Sequence, residues 1–420
     1  MTPLRLLETA AGAASILLMG ICAFRLSCGL GRLLSGRETA WGGRKPGRLP
    51  LSGMAKSAAA MLASRLLLFA AAYALYRLTG AGDESFAESF GALWRHWDVR
   101  HYEGIAKEGY PAAGDARLRL VFFPLYPWLM RAFAPLAGGD LLLSGTLVSL
   151  LCACVAAALL YALAEGIAGE RRAALAVSYF AANPMSVFLG CAYTEALFLC
   201  LTLAAALFHF RGRPWAAALC GFMSALTRMP GVIIAGLPLI ALLERAGKRS
   251  LRPRDALCGL AQMLLVFGGL FAYWALNAHV TGNPFQYLIY QRENWYQQPG
   301  TFWDSTANTV HYFFVTRGEG DWLWTWGFQL FALFYAYALL AFVAGRLPYA
   351  LQAYSFVYVA VVFAPTWLLS GARYLYGLIS LPLLQALAFE GRGKHAACLA
   401  VSGLLLAVFL CGYTLTARVL

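Results

Sequence analysis

Charge is scarce in this chain. Only 13% of its 420 residues are Asp, Glu, Lys or Arg, while 60% are hydrophobic. A soluble domain carries roughly a quarter charged residues, so a soluble globular protein is excluded. Acidic residues are the rarer sign, 20 against 33 basic. Histidine is limited to six, and His279 and His311 have no spacing that would make a metal site. No P-loop, Rossmann, H-E-x-x-H or G-x-S-x-G pattern is present, which argues against nucleotide-driven, zinc-protease and serine-hydrolase chemistry. No helix-turn-helix or Cys/His finger accompanies the net charge of +13, so nucleic acid is not the expected partner. The ten cysteines fall in or beside apolar segments, and Cys152 and Cys154, two apart on a helix, do not share a face. They are expected as small buried hydrophobes rather than disulfides.

Apolar runs are abundant. Stretches of about 17 to 25 residues recur along the sequence, each long enough to cross a bilayer. The expected fold is therefore all-α, a polytopic transmembrane helical bundle. Basic loops around Arg32 to Arg48, Arg245 to Arg254 and Arg392 to Lys394 mark one side, by rule the cytoplasmic one, where they also meet anionic membrane lipid. That assignment predicts about twelve spans: 7–30, 54–79, 140–164, the short pairs 173–190 with 195–210 and 215–227 with 230–243, 256–277, 323–344, 349–369, 374–389 and 396–416. Residues 1–50 read as an extra span, carrying Arg25, plus a basic loop. Residues 119–137, broken by the prolines of "FFPLYP", read as a re-entrant or interfacial piece, tolerable only where protein buries it or it lines a cavity. Two long loops, 80–138 and 278–321, fall on the outer side and are too aromatic for disorder. The whole of 1–420 is expected as one integral membrane domain with its chemistry in those loops.

Within the first loop, Phe86, Phe90, Leu93, Trp94, Trp97 and Ile105 recur at helical spacing, which predicts an amphipathic helix on the membrane surface. Asp98 and His101, three apart, are neighbours on one face. An ionised Asp98 among Arg95, Arg100 and His101 suits a general base; the alternative is a structural pair with Arg95 or His101. Glu103 and Glu108 are expected as surface partners of Arg100 or Lys107. "NPMSVFLGCAYTEALF" places Asn183, Ser186, Tyr193, Thr194 and Glu195 near one hairpin tip, and "ALTRMPG" places Thr227 and Arg228 at another. Ionisable groups at membrane depth are functional candidates, or else Glu195 and Arg228 pair structurally. Arg373 in "SGARYLYG" suits bidentate contact with a lipid-linked phosphate, the alternative being a snorkelling side chain. "GNPFQYLIYQRENWYQQPGTFWD" has a composition suited to sugar hydroxyls and ring faces.

In order along the chain, these motifs resemble the PIG-V family of mannosyltransferases, within the GT-C superfamily. "WDVRHYEGIAKEGY" resembles its Trp-Asp block and "VFFPLYP" the Phe-Phe-Pro run after it. "NPMSVFLGCAYTEALF" is similar to its Asn-Pro stretch with a Tyr-Ser-Glu-Ser tip, "ALTRMPG" to its Ala-Thr-Arg-x-Asn-Gly element, and "GNPFQY" to its Gly-Asn-Pro-Phe element. Ala196 and Pro230 depart from the pattern. The resemblance covers roughly Trp97 to Tyr287 and implies inverting transfer of a sugar, mannose first, from a polyprenyl-phosphate donor on the outer face. Asp98 would then be the base. Trp97, His101, Tyr102, Tyr110, Tyr193, Glu195, Arg228, Asn283 and Arg373 would bind substrate, with no metal and no cofactor. Asp98 would face the acceptor and leave donor binding unaffected. The acceptor is open between a glycolipid, a protein and a cell-wall glycan, and the residue usage suggests a bacterial plasma membrane. The donor sugar is open to glucose, galactose and aminoarabinose. A lipid-sugar transporter or flippase is the rival, but it should show repeated halves and midplane polar sites, and no repeat is evident.

Overall fold

The computed structural model describes residues 2–79, 84–319 and 322–415. Parts of both expected outer loops, 80–83 and 320–321, lie outside the described residues. The described chain is a helical bundle. Seven helices are long and apolar enough to cross a membrane, with three shorter apolar helices beside them. The first two are α1 (Pro3–Leu34) and α2 (Leu51–Leu78). Arg25 does not break α1; it stands at an exposed position of the helix, and its guanidinium donates to the Ala341 carbonyl.

The expected amphipathic helix over 86–105 is two helices, α3 (Phe86–Trp94) and α4 (Asp98–Glu108). Periodicity continued through the break because both faces are apolar but pack on different neighbours. Phe86, Phe90 and Trp94 lie against Tyr73 and Phe69 of α2. Tyr102 packs against Tyr126 of α5 (Leu125–Phe133). Between them Trp97 adopts φ +44°, a strained conformation for a bulky residue. The "FFP" segment bends the chain by 107° between the short turn Asp115–Val121 and the helical stretch 125–137.

The central helix α6 (Leu141–Ala168) begins with the Asp140 side chain capping Leu143 N. It packs against α2, α7 (Glu170–Ala182) and α8 (Glu195–Phe210). Next come α9 (Pro214–Ala225), α10 (Gly236–Gly247), α11 (Pro253–Thr281), α12 (Gln286–Trp295) and α13 (Phe302–Val315). The chain ends with α14 (Phe328–Phe342), α15 (Tyr349–Val362), α16 (Gly371–Tyr376), α17 (Leu381–Ala388) and α18 (Arg392–Thr414).

Several expected spans are shorter than their apolar runs. Residues 173–190 stop being α-helical at Asn183, where Pro184 opens a 3-10 turn. Residues 374–389 form the two stubs α16 and α17, with Gly377 and Pro382 between and within them. Both stubs are buried by protein, which is what allows irregular backbone at this depth. All ten cysteines are free, but only Cys22 and Cys191 are buried; Cys28 and Cys411 are exposed on the bundle surface.

The basic segments gather at one end. Ala40 N donates to Glu244 at 2.9 Å, Arg211 to the Gly47 carbonyl at 2.9 Å, and Arg172 pairs with Glu390 at 2.6 Å. The other end holds α3, α4, the tip before α8, the start of α12, and α16. The 28 residues of α6 separate these ends by roughly 42 Å, at about 1.5 Å per residue.

Candidate active site

Asp98 is the first residue of α4, where the helix N-terminus favours a carboxylate. The turn that aims it is tied at three points. The Tyr193 hydroxyl donates to the His96 carbonyl at 3.1 Å, Val99 N returns to the same carbonyl at 3.1 Å, and the Trp97 ring packs edge-on against Tyr413 at 5.2 Å. Strain at Trp97 therefore persists because tyrosines from two other segments hold the turn.

From there a chain of alternating charges runs into the bundle. Arg373 Nη2 donates to Asp98 Oδ2 at 2.7 Å, and its Nε donates to Glu195 Oε1. Arg228 Nη1 donates to the same Glu195 oxygen at 2.7 Å. Exposure falls along the chain: the side chains of Asp98 and Arg228 are 25% and 17% exposed, Arg373 5%, and Glu195 0%. The Arg373 guanidinium is also flanked by the rings of Tyr193 and Phe188, 4.9 and 5.1 Å from its carbon. Arg228 lies over Tyr374 at 5.3 Å.

This chain forms one wall of a cavity of about 360 Å³. Asp98, Tyr102, Arg228 and Arg373 line it together. Thr194, Thr227, Ser370 and Tyr374 add hydroxyls. Met229, Pro230, Leu288, Val361 and Val362 make an apolar wall. Gln291, Trp295, Gln297 and Trp367 make an aromatic and amide wall. Burial raises the Tyr102 phenol well above its ordinary range, so it stays protonated and able to donate.

The remaining sequence candidates are not among the residues that line the cavity. Glu195 lies beneath the arginines, and Tyr193 beneath Arg373. His101 stacks on Phe122 at 4.7 Å, and burial lowers its pKa, which favours neutral imidazole. The Tyr110 hydroxyl holds the Phe122 carbonyl at 2.8 Å. The Asn283 side chain accepts from Phe285 N at 3.0 Å and so shapes the entry to α12. Glu103 and Glu108 pair with Arg95 and Arg119 at 2.8 and 2.7 Å, not with Arg100 or Lys107. Both actual partners reach them from outside the local helix register. Sequence reasoning named the α12 segment by composition but not Gln291 and Trp295 as cavity residues; their approach to Arg373 depends on the bend after α11. Among the described residues no cluster of three or more His, Cys, Asp or Glu is arranged to hold a metal.

Residues 123–274 match the sequence profile of the dolichyl-phosphate-mannose-protein mannosyltransferase family. The match includes Glu195 and Arg228 but stops short of Asp98 and Arg373. GPI alpha-1,6-mannosyltransferase 2 of Rattus norvegicus is 32% identical over 201 residues, covering 44% of this chain and 39% of that protein. The protein of the same name from Mus musculus is 33% identical over 173 residues, covering 38% of this chain and 33% of its own length. This chain thus matches about a third to two fifths of the length of these relatives. The crystal structure of ArnT from Cupriavidus metallidurans bound to undecaprenyl phosphate superposes with a TM-score of 0.45 at 15% identity, over 84% of this chain and 76% of that one. Over part of its length, then, the chain is similar in sequence to mannosyltransferases, which agrees with the PIG-V-like resemblance that its motifs carry.

Proposed function

We propose that the protein transfers mannose, with inversion, from a polyprenyl-phosphate donor to an acceptor hydroxyl on the membrane face opposite its basic loops. By the basic-loop rule that face is the outer one, in a bacterial plasma membrane. The observation that carries this reading is the cavity in which Asp98 stands beside Arg228 and Arg373, with an apolar wall adjoining them. A lipid-linked sugar needs all three: cations for the phosphate, an apolar path for the prenyl chain, and a base for the acceptor.

In the reaction, the acceptor oxygen attacks the anomeric carbon while Asp98 takes its proton. The bond from that carbon to the phosphate oxygen breaks, and its electron pair leaves with the phosphate. Positive groups fixed where that charge develops stabilise the transition state without reorganising. Arg228 suits this, because Glu195 engages only one of its nitrogens and the residue lines the cavity. A phosphate leaves readily, so no second carboxylic acid is demanded of the protein. Tyr102 would bind substrate directly. Trp97, Tyr193, Tyr110, His101 and Asn283 would act by holding the walls. The acceptor, whether glycolipid, protein or cell-wall glycan, would enter along Gln291 and Trp295.

The test is sugar transfer by the purified protein from a panel of polyprenyl-phosphate mannose, glucose, galactose and aminoarabinose. Mannose transfer with inverted configuration is expected. Movement of the lipid-linked sugar across vesicles without any transfer would favour a flippase and overturn the reading.

A further inference from the structure

Arg373 donates from Nε to Glu195 and from Nη2 to Asp98, and the two contacts differ in kind. Glu195 is fully buried, shared with Arg228, and placed behind the cavity wall, so no substrate reaches it. Asp98 is partly exposed and lies on the cavity, with Oδ2 on Arg373 and, among the described residues, no hydrogen-bond partner on Oδ1. The guanidinium plane is held by Glu195 and by the rings of Tyr193 and Phe188. Only the contact to Asp98 is therefore free to exchange.

The charges reach the same conclusion. Two arginines and two carboxylates leave the empty site neutral. A polyprenyl-phosphate sugar is a phosphodiester and adds one negative charge, so three anions face two cations in a partly buried site. We infer that the donor phosphate and Asp98 compete for the Nη edge of Arg373, and that donor binding displaces Asp98 and frees Oδ2 to accept the acceptor's proton. This rests on the donor reading above. The site then carries one excess negative charge throughout the reaction. As the acceptor proton moves to Asp98, that carboxylate becomes neutral while the departing phosphate gains the charge. Glu195 is the positioning residue that keeps Arg373 in place during the exchange.

One consequence runs against the expectation that Asp98 leaves donor affinity unaffected. Removing the competing anion should tighten phosphate binding while abolishing transfer. The probe is undecaprenyl phosphate, titrated against the full-length protein in detergent, with uncharged undecaprenol as the reference. Asp98→Asn is expected to bind undecaprenyl phosphate about three- to tenfold more tightly than the unaltered protein, the span of one partly exposed ion pair. Asp98→Glu keeps the competing charge and should bind no more tightly than the unaltered protein. Undecaprenol binding should not change in either. Thermal unfolding accompanies each variant, and Asp98→Ser replaces the Asn variant should that one fail to fold. Unchanged or weaker phosphate binding by a folded, uncharged variant overturns the competition and leaves the donor reading standing. If the unaltered protein binds undecaprenyl phosphate no better than undecaprenol, both fall.

Discussion

The two ends of the bundle hold ion pairs of opposite kinds. At the basic end, Arg32–Glu38 and Arg172–Glu390 close at 2.8 and 2.6 Å, with at least one partner largely in solvent. At the other end, Glu195 is fully buried under two guanidiniums, and one of these reaches on to Asp98. Exposed pairs are screened and contribute little, about 0 to 1 kcal/mol each. A buried pair loses its hydration, and breaking it by removing one partner costs about 3 to 5 kcal/mol. The difference teaches that ion pairing alone does not mark a site in this chain. What marks it is a desolvated carboxylate holding arginines at the wall of a cavity, with a second carboxylate left at the edge.

The comparison breaks first at Asp98. Asp98→Asn keeps size and hydrogen bonding but cannot take a proton, so transfer should fall by about 10² to 10⁴. Glu103→Gln and Glu108→Gln, whose partners Arg95 and Arg119 lie outside the cavity lining, should stay within a fewfold of the unaltered rate. Full activity in Asp98→Asn together with a dead Gln variant would move the base elsewhere on α4.

Each member of the charged chain was legible in the sequence as a candidate, but their connection was not. Asp98 and Arg373 are 275 residues apart, and Glu195 and Arg373 are 178 apart. A local reading had only neighbours such as Arg95 and His101 to offer Asp98. The sequence offers the pairing of Glu195 with Arg228 as a structural alternative, and the geometry makes it one link in a longer chain. The helical class followed directly from the apolar runs. The break at Trp97 did not, because no proline or glycine announces it; the turn is imposed by Tyr193 and Tyr413. The same holds for α16 and α17, whose apolar run reads as one span although protein, not lipid, surrounds it.

The next effect is on stability. Glu195→Ala leaves the buried Arg373 and the partly exposed Arg228 without their shared carboxylate, so unfolding in detergent should become easier by about 3 to 5 kcal/mol. Wild-type stability in that variant would show that water already reaches the arginines, and the contrast between the two ends would lose its basis.

Smaller again is Arg228→Ala. It removes one charge-assisted contact to phosphate, worth about 1.5 to 3 kcal/mol, or roughly ten- to a hundredfold in donor affinity. Arg228→Lys should recover the charge but not the fork, and so lie between. Donor affinity unchanged in both variants would leave phosphate recognition to Arg373 alone. At the basic end, Glu390→Gln should shift stability by no more than about 1 kcal/mol and leave transfer untouched. A large loss there would mean that Arg172, which also holds the Phe389 carbonyl and His395, depends on that pair more than its exposure implies.

The gentlest test perturbs neither end and asks only which side of the membrane each faces. Single cysteines at exposed positions serve, on a background with the exposed native Cys28 and Cys411 replaced by alanine. Gly247 is unsuitable, because a Cβ there would stand 2.1 Å from the Leu33 carbonyl oxygen. Gly300 is poor as well, with Thr366 at 2.8 Å. Ser85, Gln298 and Ser250 are exposed and free of that problem. Gln298→Cys and Ser250→Cys should stay within about 0.5 kcal/mol, and Ser85→Cys, which gives up the N-cap of α3, should cost about 1 kcal/mol; transfer should be unaffected. An impermeant thiol reagent applied outside intact cells should label Ser85→Cys and Gln298→Cys but not Ser250→Cys, since basic loops stay in the cytoplasm. The reverse pattern would place the cavity in the cytoplasm, where the donor would have to be presented on the inner leaflet. Labelling of all three would contradict the bundle itself, because Ser250 follows α10 at the end that α6 holds roughly 42 Å from the site.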